Sequence, residues 1–139
     1  LTESAIMDDP DRALAMLSEL AESGICLAID DFGTGHSSLA YLQRLPAHVV
    51  KIDQAFVRNL TKAAGADFLL VETMIGLAHK LDYRVVAEGI ETAEAAGVLI
   101  NLGCEQAQGF WFARPMEAET FAAWLSDRQA AAMPRISTA

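Results

Sequence analysis

Apolar positions along the chain switch between two spacings. Where they recur every three or four residues they mark one face of a helix. Where four or five stand together between turn residues they mark a strand covered on both faces. Asp9 is a good helix N-cap and Pro10 suits the first helical position. Leu14, Leu17, Leu20 and Ala21 follow at helical spacing until Gly24 closes the helix. The apolar run 25–29 predicts the first strand. Ser37 can cap a short helix carrying Leu39, Leu42 and Leu45, which Pro46 stops. Residues 49–52 predict a second strand. Val71, Met74, Ile75, Ala78 and Leu81 form one apolar stripe and predict a helix over 66–81. Residues 84–87 predict a third strand, Thr92 caps a helix that ends at Gly103, and 104–107 predict a weak fourth strand. A last helix over 117–128 turns Phe121, Trp124 and Leu125 inward, and 129–139 read as a frayed, Ala-rich tail.

Strands alternating with helices imply an α/β fold, a parallel sheet joined by right-handed crossovers. Parallel strands bring all their C-terminal ends to one edge, where α/β folds bind ligands. The first polar groups at those ends are Asp30 and Asp31 after strand one, and Lys51 and Asp53 at strand two. Glu88 and Glu91 follow strand three, and Gln108 follows strand four.

This rim is acidic, and the charge matters. Two carboxylates about 4 Å apart, at an effective dielectric near 20, repel by roughly 4 kcal/mol. Several carboxylates with a single lysine favour a bound cation, and oxygen donors suit Mg²⁺, Mn²⁺ or Ca²⁺. Divalent metal beside a lysine is suited to attack on a phosphodiester, because metal lowers the pKa of a bound water and steadies the leaving oxygen.

The whole chain agrees with such chemistry and excludes some alternatives. A length of 139 residues allows one domain with a real core. A net charge of -9 argues against DNA, RNA or an anionic membrane surface as partner, since each needs a basic face. No apolar run reaches the roughly 18 residues that a membrane span needs, so the segment reads as soluble and cytoplasmic. Cys26 and Cys104 sit in apolar settings and read as reduced and buried. His36, His48 and His79 lack metal-ligand spacing. Phe110, Trp111 and Phe112 read as core packing, with a wall for a flat ligand as the alternative.

The stretches "LTES", "AIDDFGTGHSSLAYLQRLPAHVVKID", "VVAEGIET" and "GCEQAQGFWFARPM" stand in order and in step. Together they resemble the C-terminal part of the EAL domain, the bacterial cyclic di-GMP phosphodiesterase. The resemblance implies a TIM-type (β/α) barrel and hydrolysis of cyclic di-GMP to linear pGpG with Mg²⁺ or Mn²⁺ in a two-metal site. It implies that Asp30, Asp31 and Glu88 hold metal, and that Lys51 and Glu88 act in catalysis. Gln108, Asp53, Glu91, Arg114 and Pro115 fall to the substrate, while Glu3 and Thr34 steady the acidic loop. It further implies a homodimer through the helix after that loop, and upstream sensor or GGDEF-type domains in a full chain.

Two departures stand out. His36 replaces the family's usual Tyr in the acidic loop. The Glu-Ala-Leu motif itself is absent, and four strands are predicted where a TIM barrel has eight. The expectation is therefore about half a barrel over 1–128, inactive by itself. A non-catalytic cyclic di-GMP receptor is the first alternative. A flavodoxin-like receiver also carries an acidic pair and a lysine, but its lysine follows the fifth strand, whereas Lys51 comes one strand after the pair.

Overall fold

The structure is a computed structural model that describes residues 9–34, 39–60 and 65–130. In chain order the elements are α1 (Pro10–Glu22), β1 (Ala28–Phe32), α2 (Leu39–Leu42), β2 (Val49–Ile52) and α3 (Gln54–Val57). They continue as α4 (Ala66–Lys80), β3 (Arg84–Ala87), α5 (Ala93–Asn101), β4 (Gln106–Ala107) and α6 (Ala118–Ala130). The strands pair in parallel in the order β1-β2-β3-β4. This is the α/β architecture expected, a sheet of four parallel strands with helices between them.

Local chemistry sets the helix limits. Asp9 accepts the Arg12 amide at 3.3 Å and Pro10 opens α1. The Thr92 side chain accepts the Ala95 amide at 3.2 Å and starts α5. The stripe on α4 buries Val71, Met74, Ile75 and Ala78. Full burial of side chains of this size stabilises by about 1.5–3 kcal/mol each.

Burial along β1 and β2 separates two faces of the sheet, while β3 buries Val85, Val86 and Ala87 in succession. Ile29 and Phe32 of β1, Val50 and Ile52 of β2, and Val85 and Ala87 of β3 are all buried in one cluster with the α4 stripe. Ala28, Asp30, Val49 and Lys51 are only half-buried, on the opposite face. One sheet face thus carries the core and the other stays partly open.

Four expectations change. The first strand runs over Ala28–Phe32 rather than 25–29, so the acidic pair lies inside it. Pairing decides this: β1 begins where Ala28 meets Val49, and Ile25 is left 49% exposed. The fourth strand is only Gln106–Ala107, because Cys104 turns into the core and the Glu105 side chain, not its backbone, meets the Val85 amide at 2.8 Å. Cys26 is exposed while Cys104 is buried, since Cys26 precedes the paired strand. On α6, Phe121 and Leu125 are 48% and 40% exposed rather than core. Among the described residues a single side-chain hydrogen bond, from Arg128 to the Phe112 carbonyl at 3.0 Å, ties that helix to the rest of the chain. The short α3 was not expected. Glu3, His36, the Ser37 cap and residues 131–139 lie outside the described residues.

Candidate active site

The acidic pair is placed by a slip in the ladder. Ile29 pairs with Val50 and Phe32 with Ile52, three steps on β1 against two on β2. Asp30 and Asp31 thus stand together against Lys51, which is how a bulge re-aims side chains. The extra residue keeps Ile29 and Phe32 on the core face. It costs a backbone excursion, since Asp31 takes φ 56, a left-handed value that Asp tolerates better than most residues. The chain turns at once. The Thr34 amide and hydroxyl both donate to the Asp31 carbonyl, at 3.1 and 2.9 Å. Gly33 sits in that turn at φ 92, and a Cβ there would come within 2.5 Å of the Met74 methyl. Only glycine fits both demands.

The next two strands extend the same face. Lys51 pairs with Val86, and Val86 with Gln106. Glu88 and Gln108 stand two residues further on, on the same side. The Glu88 amide donates to the Ile52 carbonyl at 3.1 Å and the Gln108 amide to the Ala87 carbonyl at 2.9 Å, so the ladder holds both. Gly109 lets the loops after β3 and β4 cross, because a Cβ there would lie 2.2 Å from the Ile90 backbone.

Side chains close the arrangement. The Lys51 ammonium bridges Asp30, at 3.0 Å, and Glu88. The Gln108 amide donates to Glu88 at 2.7 Å. Burial would raise the Asp30 carboxyl, but the hydrogen bond and charge of Lys51 outweigh it and hold the group below its ordinary range. Burial would likewise lower Lys51, yet Glu88 and Asp30 together hold it above the usual lysine value. The Asp30 carboxylate and the Lys51 ammonium therefore stay charged across neutral pH.

Beside this cluster lies a cavity of about 520 Å³. Glu88 and Gln108 belong to its wall, as do Glu91, Arg114 and Pro115. Asp53 does not line it; its carboxylate accepts the Ala55 amide at 2.7 Å and caps α3. The structure thus brings together Asp30, Lys51, Glu88 and Gln108; Asp31 joins them through its backbone amide, which donates to the Asp30 carboxylate at 3.3 Å, while Asp53 stands apart. Among the described residues, no three His, Cys, Asp or Glu side chains are grouped so as to hold a metal ion.

Sequence reasoning missed several cavity residues, Met116 among them. Gln54 opens α3, and Phe121 and Trp124 come from α6. Helical spacing marks Phe121 and Trp124 as one face, and nothing in the spacing tells a core face from a cavity wall. Phe110 also lines the cavity and is 51% exposed, with Trp111 at 45%, which overturns core packing for both. Phe112 alone of the three packs against the core.

The family model described as "EAL domain" matches residues 1–115. The chain belongs to the EAL domain family. It is 44% identical over 119 residues to the bifunctional diguanylate cyclase/cyclic di-GMP phosphodiesterase MucR of Pseudomonas aeruginosa, a match spanning 86% of this chain and 17% of that protein. The solved MucR phosphodiesterase in complex with cyclic di-GMP superposes with a TM-score of 0.82 at 44% identity, over 87% of this chain and 49% of that one. The manganese and cyclic di-GMP complex of BlrP1 from Klebsiella pneumoniae gives a TM-score of 0.73 at 36% identity, over 82% and 29%. EAL domains are TIM-type barrels, so the four parallel strands are about half of one. Among the described residues of this EAL chain no helix is long and apolar enough to cross a membrane.

Proposed function

We propose that this chain supplies the C-terminal portion, over 1–128, of an EAL domain that hydrolyses cyclic di-GMP to linear pGpG. The observation that carries the reading is Lys51 held between Asp30 and Glu88, with Gln108 on Glu88. A degenerate receptor has no need of that charge arrangement at the mouth of a nucleotide-sized cavity.

The donor set is hard oxygen, which fits Mg²⁺ or Mn²⁺. Asp30, Asp31 and Glu88 would hold the metal, with further ligands from the rest of the domain. The bound metal supplies a water of lowered pKa and charge stabilisation for the leaving oxygen. This chain's own residues do the rest. Glu88 takes the proton of the attacking water, and Gln108 fixes the Glu88 carboxylate in place. Lys51 steadies the water and offsets the charge that gathers on the phosphate. The water oxygen bonds to phosphorus and the bond to the ribose oxygen breaks. Glu91, Arg114 and Pro115 bind the substrate beside Gln108. Thr34 holds the acidic loop, Glu3 is assigned the same task, and Asp53 is assigned to the substrate side. The reading includes a homodimer through α2, a GGDEF-type or sensor partner domain, and a cytoplasmic site of action.

The test uses a complete EAL domain carrying these residues. Purified enzyme stripped with chelator should lose cyclic di-GMP turnover and regain it with Mg²⁺ or Mn²⁺. The 139-residue chain alone should show none, because the proposed metal site needs further ligands from the rest of the domain. A complete domain that binds cyclic di-GMP but never cleaves it with either metal would make the protein a receptor.

A further inference from the structure

The cavity beside Glu88 has one polar side and one aromatic side, and the aromatic side comes from an unexpected place. Phe121 and Trp124 of α6 line it. Their rings stack on one another, with centroids 5.8 Å apart and planes 25° from parallel. The Arg128 guanidinium lies 4.5 Å from the centre of the Trp124 ring and also donates to the Phe112 carbonyl at 3.0 Å. Across the cavity, Arg114 covers Phe110 at 4.5 Å. Phe121 is 48% exposed and Trp124 is half-buried, and both border the cavity.

We infer that Phe121 and Trp124 form a stacking wall for a purine base of the dinucleotide whose phosphodiester lies at Glu88 and Gln108, and that Arg128 is the positioning residue that holds this wall in place. The inference rests on the proposed substrate class. Three observations support it. The wall and the catalytic carboxylate bound one continuous cavity of about 520 Å³. Exposed aromatic faces are what a flat base needs, and stacking tolerates small misfit because every base has a π-face. The arginine on Trp124 ties the helix to the preceding loop by the side-chain hydrogen bond it donates to the Phe112 carbonyl, which makes it the candidate for holding the wall.

The test measures KM and kcat for cyclic di-GMP hydrolysis by the complete domain, together with Kd from calorimetry in the presence of Ca²⁺. Stacking is worth about 1–3 kcal/mol per base, so Trp124→Ala should raise KM and Kd about 5- to 150-fold while kcat stays within about twofold. Arg128→Ala should raise KM through displacement of the wall, and Arg128→Lys, which cannot fork between ring and carbonyl, should restore little. Trp124→Phe keeps an aromatic face and should recover most of the affinity, which separates lost stacking from lost folding. Wild-type KM and Kd in Trp124→Ala, with the domain active, would overturn the wall and leave the phosphodiesterase reading intact. A wild-type domain that binds cyclic di-GMP without cleaving it would overturn that reading, and Kd would still decide the wall. A wild-type domain that neither binds nor cleaves it overturns both.

Discussion

The two faces of one sheet differ in every respect that matters to function. On the helix side, Ile29, Phe32, Val50, Ile52, Val85 and Ala87 interlock with α4. On the open side, Asp30, Lys51, Glu88 and Gln108 form a chain of charge-assisted contacts. The same strands build both, because side chains alternate. The comparison teaches a division of labour. The apolar face holds the ladder rigid, and rigidity places three charged groups that would otherwise swing apart. Removing a residue from the open face should therefore cost chemistry, and removing one from the helix side should cost stability.

The sharpest way to break that division is Glu88→Gln in the complete domain. A lost general base costs about 10²- to 10⁴-fold in rate. Turnover of cyclic di-GMP should fall by that amount while the urea midpoint moves little, because the amide still accepts from Gln108. Full activity in this variant would remove Glu88 from the chemistry.

The opposite face gives the next effect. Ile52 is fully buried one residue beyond Lys51. Ile52→Ala should destabilise by about 2–5 kcal/mol, measured by chemical unfolding. At temperatures where the variant stays folded, KM should be near normal. A large loss of kcat with normal stability would show that the two faces are not separable.

Much of this division was legible in the sequence, and the failures have physical causes. β2 and β3 are short apolar runs between turn residues, so their limits emerge from composition alone. β1 does not obey that rule. Its apolar run begins too early, and the strand continues through two aspartates that composition counts as loop. Only the slip between Ile29 and Phe32 makes a strand there compatible with a core on one face. Convergence of Lys51 and Glu88 could be argued from parallel strand ends, and Lys51 contacts both Asp30 and Glu88. The aromatic wall could not be read, because Phe121 and Trp124 carry a helical spacing that a core helix and a cavity wall share.

Cys104 probes the rim of the helix-side core. Burial, with a smaller push from the Glu105 carboxylate, raises its thiol to about 11. A thiol with a raised folded pKa stays protonated in the native state while the unfolded chain ionises. Its contribution is present below about pH 9 and is lost as pH rises toward 11. Two units correspond to roughly 3 kcal/mol. Unfolding midpoints should therefore fall between those values, and Cys104→Ala should flatten the decline. A slope unchanged by that substitution would place the loss elsewhere.

Asp53 carries the smallest expected effect and the finest distinction. It stands one residue past Ile52, at the junction of the two faces, and its carboxylate caps α3 through the Ala55 amide. Asn caps a helix about as well as Asp, whereas Ala loses roughly 0.5–2 kcal/mol. Asp53→Ala should thus lower the unfolding midpoint slightly, and Asp53→Asn should not. The two variants split further on activity. If Asp53 is only a cap, Asp53→Asn keeps wild-type kcat and KM. If its charge also serves the substrate side, Asp53→Asn loses activity at unchanged stability, which a cap alone cannot produce. The expected outcome is the second, because the carboxylate uses one oxygen on Ala55 and sits next to the strand end that carries Lys51.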